Sequence, residues 1–389
     1  MKIIFGLEVF LPHISGVTNI VSDLANYFSL DQSNEVFVIT SSENNKFSRE
    51  SRGKNYTIIR LPSFKVPFKE NIRASYFSSF RAYDIIKKIK PDIIHIHDGA
   101  FISFALAIYA QRHNIPVVFT QHANLSFPSY FVKFGKKTVK KLYGAYLINF
   151  LNNYCELVVA PSNSIKKELI ENGCDTPVEV VSNGIDLNFY KPNLVLHKKH
   201  TIPQILYVGR IDQDKNLSTF IKSIPLILDK TQAQFIFVGQ GDLRKEFIEY
   251  FNKTSYNNYV TFVDSVKPNS IELLSFYQSA DVFVMPSCIE TQSLATMEAM
   301  ACGLPIVAAN SGALPELVKN NKNGFLIPPY NISAFAHAII KLTKNPQKRA
   351  DFAKNSLQFI KKHNRSNTFQ TLQNIYSHLI QNNTKLDIK

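Results

Sequence analysis

The sequence predicts an α/β protein with two doubly wound halves, each built on a parallel sheet that helices cover on both faces. Short apolar runs typical of buried strands alternate with longer amphipathic segments typical of helices, which implies right-handed crossovers between parallel strands. The alternation lapses in the polar, basic stretch Leu187–Pro203 and then restarts. We therefore predict domains at residues 1–187 and 188–389, facing each other across a ligand cleft, with C-terminal helices that could pack back on the first domain.

The N-terminal half opens with the apolar run Lys2–Gly6. We expect a first buried strand here and not a signal peptide, because Glu8 interrupts the run and no small-residue cleavage site follows. Further strands are predicted at Glu35–Thr40, Asp92–His97, Ile115–Thr120, Leu157–Ala160 and Val178–Val181. Helices are predicted at Val17–Ser29, Asn71–Lys90, Ala100–His113, Val132–Asn152 and Ser162–Glu171. Asn44–Lys54 is polar and predicts a flexible loop.

The C-terminal half repeats the alternation and ends in several helices. Its strands are predicted at Gln204–Gly209, Gln234–Gly239, Val260–Val263, Asp281–Met285, Pro305–Ala309 and Gly324–Ile327. Its helices are predicted at Leu217–Leu228, Asp242–Lys253, Ser270–Ser279 and Leu294–Ala301. Gly303 and Pro305 end the last of these, the glycine as a left-handed cap and the proline as a helix breaker.

The composition is that of an ordinary globular protein, with 45% hydrophobic and 19% charged residues. No uncharged apolar run reaches the length of a transmembrane helix. The four cysteines have neither metal-binding nor redox spacing, which favours a reducing cytosol. The net charge of +14 favours a polyanionic partner, although a general richness in Lys, Asn and Ile could produce it without a functional cause.

Basic residues cluster on the predicted helix Val132–Asn152. The lysines of its first half are Lys133, Lys136, Lys137, Lys140 and Lys141. Asp and Glu are missing from Gly99 through Cys155, and apolar residues recur along the helix at helical spacing. Such a helix is typical of binding to an anionic membrane surface, and a core helix with a solvated lysine face is the alternative. No known nucleic-acid-binding module is visible, so nucleic acid is not an expected partner.

The stretch Met285–Val307 places Glu290 and Glu298 in a strand–loop–helix–strand unit. In a parallel sheet the loop after a strand lies at the carboxyl edge, where ligands bind, so we expect Glu290 there. Glu298 would lie inside the helix among small and apolar residues. A carboxylate in those surroundings needs a polar partner, which sugar or ribose hydroxyls could supply.

Cationic residues follow the first strand of the C-terminal half. Gly209 and Arg210 end that strand and Lys215 lies five residues further on, so that the two cations can neutralise a diphosphate. Asp212 and Asp214 between them could indicate a metal ion, but no further ligand in the sequence supports one. We therefore expect no metal site here.

Three further patterns leave alternatives open. The loop PHISG, which ends at Gly16, could bring backbone N–H groups to a phosphate or be an ordinary turn, and it lacks the dinucleotide-binding fingerprint. His95, His97 and His122 follow two predicted strands and could bind zinc or line a polar cleft. Asn183–Asp186 is first of all a turn signal.

Taken together, these residues resemble the retaining glycosyltransferases of family 4, which have the GT-B fold of two Rossmann-like domains. The resemblance covers nearly the whole chain. Its most specific part is Pro286-Ser287, Glu290 and the run Glu298–Pro305, which look like the paired-glutamate signature of that family in order and spacing. The resemblance implies that the N-terminal domain binds the acceptor and the C-terminal domain binds a nucleotide sugar.

The resemblance also implies roles for single residues. Glu290 would hold the hydroxyls of the donor sugar and Glu298 those of the ribose. His122 falls where the family has a cleft histidine near the transferred sugar. The donor-binding residues implied in this way are Gly16, Gly209, Arg210, Lys215, Glu290, Thr291, Gln292, Ser293, Leu294 and Glu298. The implied catalytic residues are His122, Glu290, Arg210 and Lys215.

Two departures from the family pattern concern the substrates. Thr291-Gln292-Ser293 follows Glu290 where the family often has Gly-Phe-Gly. This variant resembles bacterial glycolipid synthases that glycosylate diacylglycerol or related lipids, although these often carry Gly where Ser293 stands. Asp264 replaces a frequent glycine near the expected base pocket, which leaves the identity of the nucleotide open.

The sequence therefore leads to the hypothesis of a retaining, metal-independent hexosyltransferase without a cofactor. Its donor would be a nucleotide sugar, best matched by a UDP-sugar, and its acceptor a membrane lipid such as diacylglycerol or a glycolipid. It would be cytoplasmic and peripheral, on the anionic inner face of the cell membrane. The alternatives are a soluble or cell-surface polysaccharide acceptor, and a catalytically silent membrane- or nucleic-acid-binding protein.

Overall fold

The computed structural model describes residues 1–13, 15–65, 73–75, 79–126, 135–193 and 201–386. Contacts within the chain divide it into two compact units, which we call unit 1 (Met1–Ser182 and Thr368–Lys389) and unit 2 (Asn183–Asn367). The first boundary lies before the division predicted at residues 187 and 188, because Ile185 and Tyr190 are buried in the core of unit 2. The chain returns to unit 1 at Thr368.

Unit 1 contains the first ten strands and five helices of the described residues. The strands are β1 (Lys2–Gly6), β2 (Glu35–Ser41), β3 (Ser48–Ser51), β4 (Tyr56–Leu61), β5 (Phe64–Lys65), β6 (Arg73–Ala74), β7 (Ile93–Ile96), β8 (Val117–Thr120), β9 (Leu157–Ala160) and β10 (Val178–Val180). The helices are α1 (Gly16–Leu30), α2 (Ser79–Ile89), α3 (Phe101–Arg112), α4 (Lys136–Tyr154) and α5 (Asn163–Glu171).

Unit 2 contains the remaining strands and most of the remaining helices of the described residues. The strands are β11 (Gln204–Val208), β12 (Gln234–Val238), β13 (Val260–Val263), β14 (Val282–Met285), β15 (Ile306–Ala309) and β16 (Gly324–Ile327). The helices are α6 (Leu217–Leu228), α7 (Arg244–Asn252), α8 (Ile271–Ser279), α9 (Leu294–Ala301), α10 (Leu314–Leu317), α11 (Ile332–Thr343) and α12 (Pro346–Ile360). The last helix, α13 (Arg365–Leu386), begins in unit 2 and continues into unit 1.

Each unit has one main sheet in the order expected of a doubly wound fold. The sheet of unit 1 has the strand order β10-β9-β8-β7-β1-β2-β4-β3 and is parallel except for β3. The sheet of unit 2 has the strand order β13-β12-β11-β14-β15-β16 and is entirely parallel. The strand order reverses between β1 and β7 in unit 1 and between β11 and β14 in unit 2. Ligands of such sheets bind beyond the carboxyl ends of the strands at these reversals.

Two predictions about the first half are wrong in detail. Ser48–Ser51, inside the predicted flexible loop Asn44–Lys54, is an edge strand that pairs antiparallel with β4. The predicted helix Asn71–Lys90 begins only at Ser79 in the described residues, and Arg73–Ala74 pairs instead with Phe64–Lys65. In both places pairing with a neighbouring segment supplies backbone hydrogen bonds that local sequence pattern does not reveal.

The last helix completes the core of unit 1. Tyr376 is fully buried and its Oη lies 2.5 Å from Nδ1 of His95 on β7, while Nε2 of His95 lies 2.7 Å from Oγ1 of Thr120 on β8. Burial lowers the pKa of His95 to about 3, so the imidazole is neutral at pH 7. A neutral imidazole donates one hydrogen bond and accepts one, which matches its two hydroxyl neighbours. This polar pair fixes α13 against the sheet.

None of the helices in the described part of the chain combines the length and the apolarity that a membrane-spanning helix needs.

The Tyr376–His95 hydrogen bond gives a testable prediction. Tyr376→Phe leaves Nδ1 of His95 buried without a partner, so we expect the free energy of unfolding to fall by about 1–3 kcal/mol in urea denaturation. Tyr27→Phe is the matched control. Its half-buried hydroxyl lies 3.4 Å from Gln373 on the same last helix, so its loss should cost far less. Equal losses in the two variants would contradict this role of Tyr376 in fixing the last helix.

Candidate active site

The candidate site of unit 2 lies where the strand order reverses between β11 and β14. Gly209 and Arg210 follow β11, and the loop that carries Glu290 follows β14 and leads into α9. The fold therefore brings together two segments that are far apart in the sequence, as expected of residues at the carboxyl edge of a parallel sheet.

An ion pair between Lys215 and Glu290 joins these two segments. Lys215 Nζ lies 2.6 Å from Glu290 Oε1, and the two side chains are only 18% and 10% exposed. Burial opposes ionisation of Glu290, but the Lys215 ammonium and the hydroxyls of Ser287 and Ser293 outweigh it and hold the pKa of Glu290 below its ordinary value. Glu290 is therefore a carboxylate at neutral pH, and it can accept hydrogen bonds from a ligand.

The loop around Glu290 is fixed from the far side by the segment after β15. Ala313 N donates to Glu290 O at 2.9 Å, and Ser311 Oγ donates to Cys288 O at 2.8 Å. Gly312 lies so close that a Cβ on it would meet Glu290 O at 2.6 Å, and its φ of +56° favours glycine. The sequence carries only one signal for this segment, a glycine soon after a buried strand, so these contacts were not predicted.

The N-terminus of α9 continues directly from this loop. Ser293 is the N-cap residue of the helix, with φ 72° and ψ 84°. Glycine adopts this left-handed backbone conformation with much less strain than serine, so glycine would suit the position. Gln292 is buried, and its Oε1 accepts a hydrogen bond from Asn183 N at 2.8 Å. This bond connects the Asn-Gly turn to the loop between β14 and α9. Thr291 is partly buried and Leu294 is the first residue of α9. The backbone N–H groups of this helix start are of the kind that can bind an anion.

Arg210 has two carboxylate partners. Its Nη1 donates to Asp212, and its Nη2 donates to Asp214 Oδ2 at 2.7 Å, while the arginine side chain stays 52% exposed. Tyr207 Oη donates to Arg210 O at 2.7 Å. The two aspartates considered for a metal ion thus orient the guanidinium, which leaves Arg210 exposed at the sheet edge beside the Lys215 segment.

Gly209 contributes to the site through its backbone. A Cβ on Gly239, which follows β12, would lie 2.0 Å from Gly209 O, so the two strand ends approach more closely than side chains allow. Gly209 N donates to Val238 O at 3.0 Å. This close packing holds the chain after β11 beside the end of β12, where Ile211 N donates to Gln240 O at 2.8 Å.

Glu298 lies inside α9 and has tyrosine partners. Tyr277 Oη donates to Glu298 Oε2 at 2.6 Å. Burial raises the pKa of Glu298 above its ordinary value, although Tyr277, Tyr190 and Arg365 act in the opposite direction. The sequence predicts a ligand hydroxyl as the partner of this carboxylate. The structure supplies phenol hydroxyls that neither spacing nor motif had indicated.

His122 belongs to unit 1, at the carboxyl end of β8. Its Nε2 lies 3.0 Å from Nδ1 of His97, and burial lowers the pKa of His122 to about 4. His97 is buried and its Nε2 has no partner among the described residues, whereas both ring nitrogens of His95 are engaged by Tyr376 and Thr120. His122 is therefore a neutral imidazole, oriented by a second neutral imidazole, at neutral pH.

Gly16 is the first residue of α1 in unit 1. Ser15 caps this helix through a reciprocal capping box, in which Thr18 N donates to Ser15 Oγ and Ser15 N donates to Thr18 Oγ1. Two of the N–H groups at this helix start are thus already bound by side chains.

The predicted basic helix corresponds to α4, which begins at Lys136 after Gly135 and ends at Tyr154. Lys133 lies outside the described residues. Lys136, Lys137, Lys140 and Lys141 are all exposed. Leu142 and Tyr146 follow on an exposed face of the same helix and are 66% and 44% exposed.

The structure groups the predicted residues by unit. Unit 2 holds most of the predicted donor-binding residues, namely Gly209, Arg210, Lys215, Glu290, Thr291, Gln292, Ser293, Leu294 and Glu298. Unit 1 holds Gly16, His122 and the basic helix. Arg210 and Lys215, each already paired with carboxylates, and the N-terminus of α9 are the groups of unit 2 that could contact an anion such as a diphosphate. Glu290 lies beside them and can accept hydroxyl hydrogen bonds.

Comparison with known proteins gives matches over most of the chain. The protein named sulfoquinovosyl transferase SQD2 of Arabidopsis thaliana is 28% identical over 335 residues, which cover 82% of this chain and 62% of that protein. The protein named alpha-monoglucosyldiacylglycerol synthase of Acholeplasma laidlawii is 26% identical over 410 residues, which cover 100% of both chains. The crystal structure of Anabaena Alr3699/HepE in complex with UDP and glucose is similar with a TM-score of 0.76 and 20% identity, over 97% of this chain and 100% of that one.

Two family models divide the chain between them. The model described as Glycosyltransferase Family 4 matches residues 14–189, and the model described as Glycosyl transferases group 1 matches residues 195–359. Both the fold class and the family resemblance drawn from the sequence are thereby confirmed. The chain belongs to the family 4 glycosyltransferases of GT-B fold.

Proposed function

We propose that this glycosyltransferase moves a hexose from a UDP-sugar to a membrane lipid acceptor such as diacylglycerol or a glycolipid, with retention of configuration and without a metal ion. The observation that carries the donor half of this proposal is the buried Lys215–Glu290 pair beside Arg210 and the N-terminus of α9. The name of one relative, alpha-monoglucosyldiacylglycerol synthase, supports a lipid acceptor of the diacylglycerol type. The UDP complex of the structural neighbour supports UDP as the nucleotide.

In this proposal the main catalytic task is to stabilise charge on the departing diphosphate. Arg210 and Lys215 would do so as fixed cations, together with the N–H groups at the start of α9. Their present partners are Asp212, Asp214 and Glu290, so a bound diphosphate would compete with internal carboxylates for the same cations. A cation set of this kind can supply the positive charge that a metal ion provides in other transferases.

The hydroxyls of the donor would be held by the two glutamates. Glu290 is ionised and can accept hydrogen bonds from the sugar, and Glu298 can accept them from the ribose. His122 would act near the transferred sugar as a neutral imidazole, able to donate or accept one hydrogen bond. Retention would follow from attack on the same face of the sugar, with no enzyme nucleophile assigned.

The acceptor proposal also involves the exposed face of α4. Four exposed lysines occupy the first turns of α4, and the side chains of Leu142 and Tyr146 are exposed further along the same helix. Basic residues contribute attraction to anionic lipids, and the apolar side chains can enter the headgroup region. We propose that this face docks the enzyme on the anionic inner surface of the cell membrane, where a lipid acceptor resides.

The diphosphate assignment predicts large losses of turnover. Lys215→Ala and Arg210→Ala should each lower the turnover of UDP-hexose by on the order of 10²-fold, since each removes a charge that stabilises the transition state. The readout is product mass after incubation with extracted lipids. Lys222→Ala, an exposed lysine on the helix that follows, is the matched control and should leave turnover unchanged. Wild-type turnover in both test variants would remove the diphosphate assignment.

The membrane assignment predicts a loss of vesicle binding. Replacing Lys136, Lys137, Lys140 and Lys141 together by Gln should abolish most co-sedimentation with phosphatidylglycerol vesicles, because each basic residue contributes about 1 kcal/mol near such a surface.

The control for this experiment replaces four exposed lysines of unit 2 by Gln, which changes the net charge equally. These lysines are Lys222, Lys230, Lys253 and Lys322. The control should bind vesicles as the wild type does. Unchanged binding by the α4 variant, or an equal loss in the control, would show that α4 is not the docking surface.

A further inference from the structure

Two tyrosines in the core of unit 2 hold the carboxylate of Glu298. Tyr277 on α8 is fully buried, and its Oη donates to Glu298 Oε2 at 2.6 Å. Tyr190 is 1% exposed, and a hydrogen bond from its hydroxyl also favours the ionised form of Glu298. Glu298 itself is only half-buried. A ligand can therefore contact the carboxylate, whereas protein covers the two phenols that hold it.

Packing fixes the two phenol rings in place. The ring centroids of Tyr190 and Tyr277 lie 6.0 Å apart at an interplanar angle of 80°, the edge-to-face arrangement that aromatic pairs favour. The ring of Tyr277 also packs against Phe283 on β14, with the centroids 5.9 Å apart. Tyr190 N donates to Asp186 O at 2.9 Å. Because neither ring can move without disturbing the core, the Tyr277 hydroxyl meets Glu298 in one fixed position.

The two hydroxyls are not equivalent in their contacts. Tyr190 Oη lies 3.2 Å from Oδ1 of the exposed residue Asn269, so its single O–H has an acceptor besides Glu298. Tyr277 donates to Glu298 at 2.6 Å, a distance typical of a hydroxyl that donates to an ionised acceptor. Tyr277 is therefore the main support of the carboxylate, and Tyr190 is a secondary one.

A carboxylate held in this way keeps acceptor capacity for a ligand. Its two oxygens provide about four lone-pair sites, so the adjacent hydroxyls of a ribose can donate to it alongside the phenols. Burial raises the pKa of Glu298, and the Tyr277 hydrogen bond is the strongest influence in the opposite direction. Loss of this hydroxyl would both free the carboxylate to rotate and favour its protonated form, which is the poorer acceptor.

We propose that Tyr277, assisted by Tyr190, is a positioning residue that holds Glu298 for the ribose hydroxyls of the nucleotide sugar. Tyr277 does not touch the donor and acts only through the carboxylate. The inference deepens the proposed function and rests on its assignment of the ribose to Glu298. It adds α8 to a donor site that otherwise lies on the segments after β11 and β14.

Calorimetric binding of two nucleotides to the full chain tests this proposal without any acceptor. The ligands are UDP and a UDP analogue that lacks both ribose hydroxyls, which we call dideoxy-UDP. We expect dideoxy-UDP to bind the wild type about tenfold more weakly than UDP. Tyr277→Phe should weaken the binding of UDP by up to about tenfold and leave that of dideoxy-UDP unchanged. If Tyr277 had only a structural role, its loss would weaken both ligands equally.

Two further variants accompany this measurement. Tyr190→Phe should weaken the binding of UDP less than Tyr277→Phe does, because the Tyr190 hydroxyl is shared with Asn269. Tyr376→Phe is the matched control, since it also removes a fully buried phenol hydroxyl, but in unit 1 beside His95. It should bind both nucleotides as the wild type does. Weakening of UDP binding in the control equal to that in Tyr277→Phe would reveal a general effect of stability and overturn the proposal.

Kinetics with UDP-hexose as the donor give a second readout. A ribose contact is the same in the ground state and in the transition state, so Tyr277→Phe should raise KM and leave kcat unchanged. A lower kcat at unchanged KM would place Tyr277 in the chemistry of transfer and contradict a positioning role through the ribose.

These measurements separate the inference from the proposed function. Equal affinity of the wild type for the two nucleotides, or equal weakening of both by Tyr277→Phe, would overturn the inference and leave UDP as the nucleotide of the donor. Ribose-dependent weakening by Tyr277→Phe, without transfer to any lipid, would support the inference and sink the lipid acceptor. No binding of UDP to the wild type would overturn both.

Discussion

The candidate donor site depends on one electrostatic constraint, the need to compensate Glu290. This carboxylate is 10% exposed, and a buried charge without a partner is strongly unfavourable. Lys215 compensates it at 2.6 Å, and in doing so it connects the segment after β11 with the segment after β14. The pair spans the strand reversal of unit 2, with Arg210 five residues before Lys215 and the start of α9 four residues after Glu290. A charged pair at this place keeps the site polar where the ends of β11 and β14 lie side by side.

Around this pair, segments of backbone approach each other more closely than residues with larger side chains would permit. Gly312 lets the segment after β15 reach the carbonyl of Glu290, and Gly239 lets the end of β12 reach Gly209. Ser293 adopts a left-handed conformation so that α9 can begin immediately after the loop. Glu298, one turn and more into that helix, has Tyr277 as a hydroxyl partner. The two glutamates are therefore in different electrostatic states, the pKa of one being lowered by a cation and that of the other raised by burial.

The fold class and the proximity of the predicted donor-binding residues could be predicted from the sequence because both depend on order along the chain. Alternating apolar runs indicate a parallel sheet, and residues just after its strands must meet at one edge. Arg210, Lys215 and Glu290 could be found in this way. The contacts of Tyr277 with Glu298 and of Ala313 with Glu290 could not, because they join elements through packing that has no periodic signal. The same reason explains β3 and the late start of α2, where pairing with a neighbouring strand overrides local preference.

A double-mutant cycle on Lys215 and Glu290 tests the compensation of this buried charge most directly. The free energy of unfolding is measured for Lys215→Met, Glu290→Gln and the double variant. If the pair compensates a buried charge, each single variant leaves one partner without the other and lowers the free energy of unfolding. The loss in the double variant should then be smaller than the sum of the two single losses by about 1 kcal/mol or more. Losses that add to within about 0.5 kcal/mol would show that the two residues are independent, and would contradict the central role of the pair in the donor site.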